Sequence, residues 1–104
     1  MNDSKWIVVM GTEDYRDALN EIFLRSGIMI FSEVQAKGYR FTQSQMTNET
    51  VPANLMDPVY SLVCFALTES TRADALMSEI ETFNQNHERA RPLHAFQVQV
   101  EKMV

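Results

Sequence analysis

Two segments limit what this chain can become: "KWIVVM", Lys5 to Met10, and "VYSLVCFAL", Val59 to Leu67. Each is short and rich in β-branched residues. Each carries apolar side chains at both alternating sets of positions, apart from Ser61 in the second. Strands that are apolar on both faces belong in the middle of a sheet. A stripe at helical spacing follows each one. Tyr15, Ala18, Leu19, Ile22 and Phe23 follow the first, and Ala73, Leu76, Met77, Ile80 and Phe83 follow the second. Thr12 is placed to cap the first helix, Glu13 and Asp14 suit the positive end of its dipole, and Gly27 suits a left-handed stop. "STRAD" offers a capping box for the second helix, with Thr71 as the cap and Asp74 three residues on.

Two further strands complete the pattern. In "IMIFSEVQAK", Ile28 to Lys37, the alternation puts Ile28, Ile30, Val34 and Ala36 on one face, with Ser32 between them. Met29 and Phe31 start the other face, which turns polar at Glu33, Gln35 and Lys37. The last strand is expected from Leu93 to Val100, where His94, Phe96, Val98 and Val100 alternate with Ala95, Gln97, Gln99 and Glu101. The order is strand, helix, strand, strand, helix, strand. That is the α+β, ferredoxin-like βαββαβ layout. Two right-handed crossovers would place both helices on one face of a four-stranded antiparallel sheet of order 4-1-3-2. The helix-free face would then be apolar, with Met29 and Phe31 adding to it. A face of this kind is rarely left in water, so the expectation is a homo-oligomer in which copies of the chain cover one another's sheets.

Between the second and third strands runs "GYRFTQSQMTNETVPANLMDP", Gly38 to Pro58, with no usable periodicity. Structureless loops beyond roughly 12–15 residues are uncommon in compact domains and are usually functional or disordered. Met46, Val51, Leu55 and Met56 give it apolar side chains that a purely solvated loop does not need. They are read as partner-binding residues, with docking on the protein's own surface as the competing reading. The topology gathers several connections at the end of the sheet where this loop starts and returns. Lys37, Gly38, Tyr39, Arg40, Arg89, Arg91 and His94 are therefore expected in one neighbourhood, within or between subunits. In a chain of net charge −5, cations gathered near one loop suggest a small anionic effector. Each also has an ordinary reading. Arg89 and Arg91 complement a helix C-terminus, Lys37 and Arg40 suit an edge strand, and His94 suits a half-buried structural position.

At 104 residues the chain is expected to be one domain, residues 1–104, with its long loop at 38–58. Its acidic balance argues against nucleic-acid and anionic-membrane surfaces as partners. One cysteine, Cys64, excludes an intramolecular disulfide and reads as a small buried hydrophobe. No secretory signal is evident at the N-terminus, and no apolar run approaches the ~18 residues that span a bilayer. A cytoplasmic location is expected, and Asn48-Glu49-Thr50 then has no meaning as a glycosylation site. No nucleophile, base and orienting group fall into a catalytic pattern, so the chain is not expected to be an enzyme. His87, His94 and Cys64 have no metal-ligand spacing, and no metal is expected.

With these elements in place, "GIMIFSEVQAKGYR" resembles the PII-like signal-transduction family, which includes the nitrogen regulatory proteins. There a Glu-Val pair is followed by Gly-aromatic-Gly-Arg at the base of a long loop. Glu33-Val34 match the pair, and Gly38-Tyr39-Arg40 approximate the loop base without its second glycine. The resemblance implies a cytoplasmic trimer with the open sheet faces at its centre. It also implies a small-molecule effector, often an adenine nucleotide, held between subunits, and a loop (the T-loop) that touches a protein partner. Where the family has a glycine-rich, phosphate-holding turn before the last strand, this chain has "NHERARPL", without glycine. The family's basic tail is also absent, since the chain ends "VEKMV". A divergent member with a different anion, or none, is the expectation. Two other classes stay open: a trimeric divalent-metal-binding protein of the CutA type, and a dimeric ferredoxin-like enzyme with a pocket lined by Tyr15, Trp6 or His94.

Overall fold

A computed structural model describes residues 3–39, 59–86 and 91–104. The expected order is present: β1 (Ser4–Thr12), a 3-10 turn (Glu13–Tyr15), α1 (Arg16–Arg25), β2 (Ser32–Gly38), β3 (Val59–Glu69), α2 (Ser70–Asn86) and β4 (His94–Gln99). The sheet order is β2-β3-β1-β4, and every pairing is antiparallel. Read from the other edge, this is the expected 4-1-3-2. The two segments that are apolar on both faces are the two central strands, paired from Ser4↔Glu69 to Thr12↔Ser61.

That register sorts the side chains. Ile7 and Val9 of β1, with Leu62, Cys64 and Ala66 of β3, are buried on the helix side. They meet Leu19, Ile22 and Phe23 of α1 and Ala73, Leu76, Ile80 and Phe83 of α2. Both helical stripes read from the sequence are thus core. Full burial of side chains such as Phe23 and Leu76 contributes about 1.5–3 kcal/mol each. On the other side of the sheet stand Trp6, Val8 and Met10 of β1, Val63, Phe65 and Leu67 of β3, Val34 of β2, and Phe96 and Val98 of β4. Trp6 and Phe65 pack ring to ring, with centroids 5.2 Å apart.

α1 ends as its sequence dictates. Gly27 sits at φ 79°, where its lack of a Cβ removes the steric penalty. Its N–H donates to Leu24 O and that of Ile28 to Phe23 O, both at 3.0 Å, which is the Schellman arrangement. The helix starts differently from expectation. Thr12 is extended, and its hydroxyl donates to the Asp14 carboxylate instead of capping backbone amides. A charged acceptor two residues away forms the stronger bond, and the chain enters α1 through the 3-10 turn. The second cap also differs. α2 begins at Ser70, so Thr71 lies inside the first turn. The carboxylate of Asp3 takes the capping role from across the sheet, accepting the Ser70 hydroxyl at 2.7 Å and its N–H at 3.4 Å. The β1–β3 register makes this possible by setting Ser4 opposite Glu69.

β2 is shorter than the alternation predicts, and its facing is reversed. Residues 28–31 climb from the end of α1 and do not pair. Phe31 turns to the helix side and stacks on Phe23, with centroids 4.3 Å apart and planes 14° apart, so it does not add to the open face. Met29 and Ile30 are left 74% and 85% exposed. Within the paired part, Ser32, Val34 and Ala36 lie on the open face, opposite Phe65, Val63 and Ser61. Glu33 and Gln35 face the helices and reach Arg16 and Glu13. Polar partners at the start of α1 thus decide which side of this edge strand turns inward.

Two contacts fix the approach to β4. The Asn84 side chain forms a reciprocal pair with the Leu93 backbone, donating to its O at 2.9 Å and accepting its N–H at 2.8 Å. Leu93 itself is buried over Gly11, where an added Cβ would lie 2.4 Å from its Cδ2. Gly11→Ala is expected to destabilise the protein by about 1–3 kcal/mol through overpacking, read as a lower urea midpoint at unchanged m-value. A pH effect follows from the α2 cap. The Ser70 bonds hold Asp3 below its ordinary value of 3.8, so the ionised carboxylate stabilises the fold above that value. This support is lost as the pH falls through the lowered folded value. Asp3→Asn is therefore expected to lower stability at neutral pH and to flatten its decline below about pH 4, as measured by denaturation midpoints across an acid series.

Candidate functional site

The connections converge as expected. Thr12 ends β1 opposite Ser61, Gly38 ends β2 opposite Val59, and His94 begins β4 opposite Met10, all at one end of the sheet. Around the Thr12–Tyr15 turn, side chains tie the two sheet edges together. Gln35 of β2 donates to Glu13, and Arg16 pairs with Glu33 at 3.4 Å. On the β4 side the Arg91 guanidinium meets Asp14 Oδ2 at 3.0 Å and lies over the Tyr15 ring, 5.7 Å from its centroid. The Tyr15 hydroxyl donates to the Arg91 carbonyl at 3.0 Å, and the Tyr15 ring meets Phe83 edge-on. The Thr12 hydroxyl first, and the Arg91 guanidinium after it, hold the Asp14 carboxyl below the usual carboxylate range.

The expected residues do not all come together. Lys37, Gly38 and Tyr39 stand at the β2 edge, where Tyr39 is exposed. His94 stands at the β4 edge, three strand spacings away, about 14 Å. It is exposed, not half-buried, and shares the open face with Phe96 and Val98. Arg91 lies on the helix side with Asp14 and Tyr15. Among the described residues, these groups line no common pocket. Arg40, Arg89, His87 and the loop residues Met46, Val51, Leu55 and Met56 lie outside the described residues.

Sequence reasoning missed Asp14 as the partner of Arg91 and Asn84 as the lock on Leu93. Asp14 and Arg91 are 77 residues apart, so no local spacing could have joined them.

The alternative chemistries find little geometric support. Among the described residues, no three His, Cys, Asp or Glu side chains gather as a metal site. Cys64 and His94 lie on opposite faces of the sheet, paired with Val9 and Met10 in the β1 register. Trp6 is on the open face and Tyr15 under α2, so Trp6, Tyr15 and His94 line no shared pocket. Of these three, Trp6 lines an open groove of about 340 Å³, with Ile30, Phe31, Phe65 and Leu67, at the end of the sheet opposite the loop base. No helix of the described residues is long and apolar enough to cross a membrane.

With the fold and this corner described, the chain has the fold of PII-like proteins. Solved structures similar to it include a nitrogen regulatory PII-like protein, CPII from Thiomonas intermedia, bound to ADP, AMP and bicarbonate. It superposes at TM-score 0.61 over 97% of this chain and 96% of that one, at 11% identity. A DUF3240 family protein from Shewanella baltica matches at TM-score 0.66, covering 100% and 97% at 10% identity. Arabidopsis thaliana PII bound to citrate matches at TM-score 0.66, covering 95% and 78% at 9% identity. No protein-family model matches the sequence. No curated protein matches it significantly.

Cys64 is fully buried, and that burial, with the Glu33 carboxylate nearby, pushes its thiol up to about 11. Iodoacetamide at pH 8 is expected to leave the native protein unmodified and to alkylate it promptly in denaturant, as scored by intact mass. Rapid native labelling would contradict the burial of β3.

Proposed function

We propose that this chain is a PII-like regulatory module and not an enzyme. It assembles as a trimer in the cytoplasm and binds a small anionic effector near the base of the loop. It presents that loop, residues 38–58 of a single domain, to a protein partner through Met46, Val51, Leu55 and Met56. The observation that carries the reading is the open sheet face. Trp6, Val8, Phe65, Leu67, Phe96 and Val98 form a continuous apolar surface with no described helix over it. Leu67, Phe96 and Val98 each keep about half their area in water in the single chain (48%, 45% and 48%). Burying such a surface between copies gains roughly 25 cal/mol per Å² of apolar area, and closed rotational symmetry ends the assembly without leaving a bare face.

Trimer packing also offers a reason for the split of the candidate residues. Lys37, Gly38 and Tyr39 sit at one sheet edge, with Arg91 and His94 toward the other. In a ring the β2 edge of one subunit approaches the β4 edge of the next, so a site between subunits can draw on both. The ligands in the similar structures, which are ADP, AMP, bicarbonate and citrate, are all anions. An adenine nucleotide or a small carboxylate is the effector class this reading favours. The glycine-free "NHERARPL" implies that arginine side chains, not backbone amides, would meet the charge.

Native mass spectrometry with ADP, AMP, bicarbonate and citrate tests both halves of the proposal. A trimer carrying at least one of these anions is the expected result. A monomer at micromolar concentration that binds none of them would sink it. Phe65→Lys, which places a charge at the centre of the open face, is expected to give a folded monomer: unchanged far-ultraviolet circular dichroism with one-third of the native mass by light scattering.

A further inference from the structure

The cation at the β4 side of the proposed intersubunit site already holds an anion. Arg91 is paired with Asp14 at 3.0 Å, and Asp14 is in turn oriented by the Thr12 hydroxyl on its other oxygen. The Arg91 backbone is tethered as well, through the Tyr15 hydroxyl to its carbonyl. So the guanidinium is positioned from two sides and neutralised from a third. Every other described arginine is also paired, Arg16 with Glu33, Arg25 with Glu21 and Glu79, and Arg72 with Glu69. Among the described ion pairs, the Arg91 pair is the one at the approach to β4, on the segment that the sequence marks as cationic.

We infer that Asp14 is a resident counter-ion at this site, and that an anionic effector binds Arg91 by displacing its carboxylate. This rests on the proposed anion-binding function and adds the residue that sets its affinity. Asp14 is half exposed, so the carboxylate can swing into water when a ligand oxygen replaces it. A ligand with more than one anionic oxygen competes best, because it can engage the planar guanidinium with two parallel bonds where the structure records one from Asp14. Release of the guanidinium also removes one of the ties between the Thr12–Tyr15 turn and the β4 approach, leaving the bond from the Tyr15 hydroxyl to the Arg91 carbonyl. Because that turn contacts Gln35 of β2 through Glu13, occupancy at Arg91 is felt at the strand that leads into the loop. Asp14 is a positioning residue here and touches no ligand itself.

The test uses magnesium-free inorganic pyrophosphate as the probe, titrated calorimetrically into the full chain and three variants at low ionic strength. Asp14→Asn is expected to bind about two- to fivefold more tightly than the native protein, the range that an exposed ion pair supports. The gain should shrink as salt is added. Asp14→Glu restores the charge and should bind like the native protein. In Asp14→Asn combined with Arg91→Gln the gain should vanish. Native binding with no gain in Asp14→Asn, or a gain that survives the loss of Arg91, overturns this inference and leaves the anion-binding reading standing. Absence of pyrophosphate binding in all four proteins removes the inference together with an anion site at Arg91. Melting temperatures measured alongside confirm that each variant is folded.

Discussion

The antiparallel register between β1 and β3 is the constraint on which the rest of the structure depends. It sets Ile7 opposite Ala66 and Val9 opposite Cys64 on one side, and Trp6 opposite Leu67 and Val8 opposite Phe65 on the other. Slipping it by one residue would exchange the two sets between helices and water. The helix side is closed by α1 and α2 through their apolar stripes. The other side is also apolar, and no described element covers it. A fold built this way is complete in its core and incomplete at its surface, and that is the physical basis for expecting it to assemble.

The electrostatics follow a different rule. An acidic chain surrounds each described arginine with a carboxylate, so positive potential is scarce even where cations cluster in the sequence. Most of these pairs are exposed and contribute little to stability. On the proposed reading, an anion arriving at Arg91 would have to compete with a carboxylate already in place. At the Thr12–Tyr15 turn this competition is joined to the sheet edges on both sides, through Glu13 to β2 and Asp14 to the approach of β4.

Much of the fold was legible in the sequence because its signals are periodic and local. The two central strands, both helical stripes, the stop at Gly27 and the strand order could all be read from spacing. The errors fell where a tertiary partner outcompeted a local one. Thr71 lost the helix cap to Asp3, 67 residues from Ser70. Thr12 bonded the Asp14 side chain instead of the backbone. Phe31 left the strand alternation to stack on Phe23, and β2 turned its charged side to the helices because Arg16 and Glu13 were there to receive it. At the candidate site, the convergence of the connections at one end of the sheet was legible. The separation of Lys37 from Arg91 and His94 on two sheet edges, and the carboxylate sitting on Arg91, were not.

By itself, then, the sequence determined which segments are strands, which are helices, and which two strands lie at the centre, because hydrophobic periodicity acts over a few residues at a time. Only the tertiary structure decided which face of the edge strand turns inward, what caps the second helix, and which acid neutralises Arg91. Those choices depend on groups brought together by the fold, 22 residues apart for Glu13 and Gln35 at the edge strand, 67 for Asp3 and Ser70 and 77 for Asp14 and Arg91, where no local pattern in the chain can signal them.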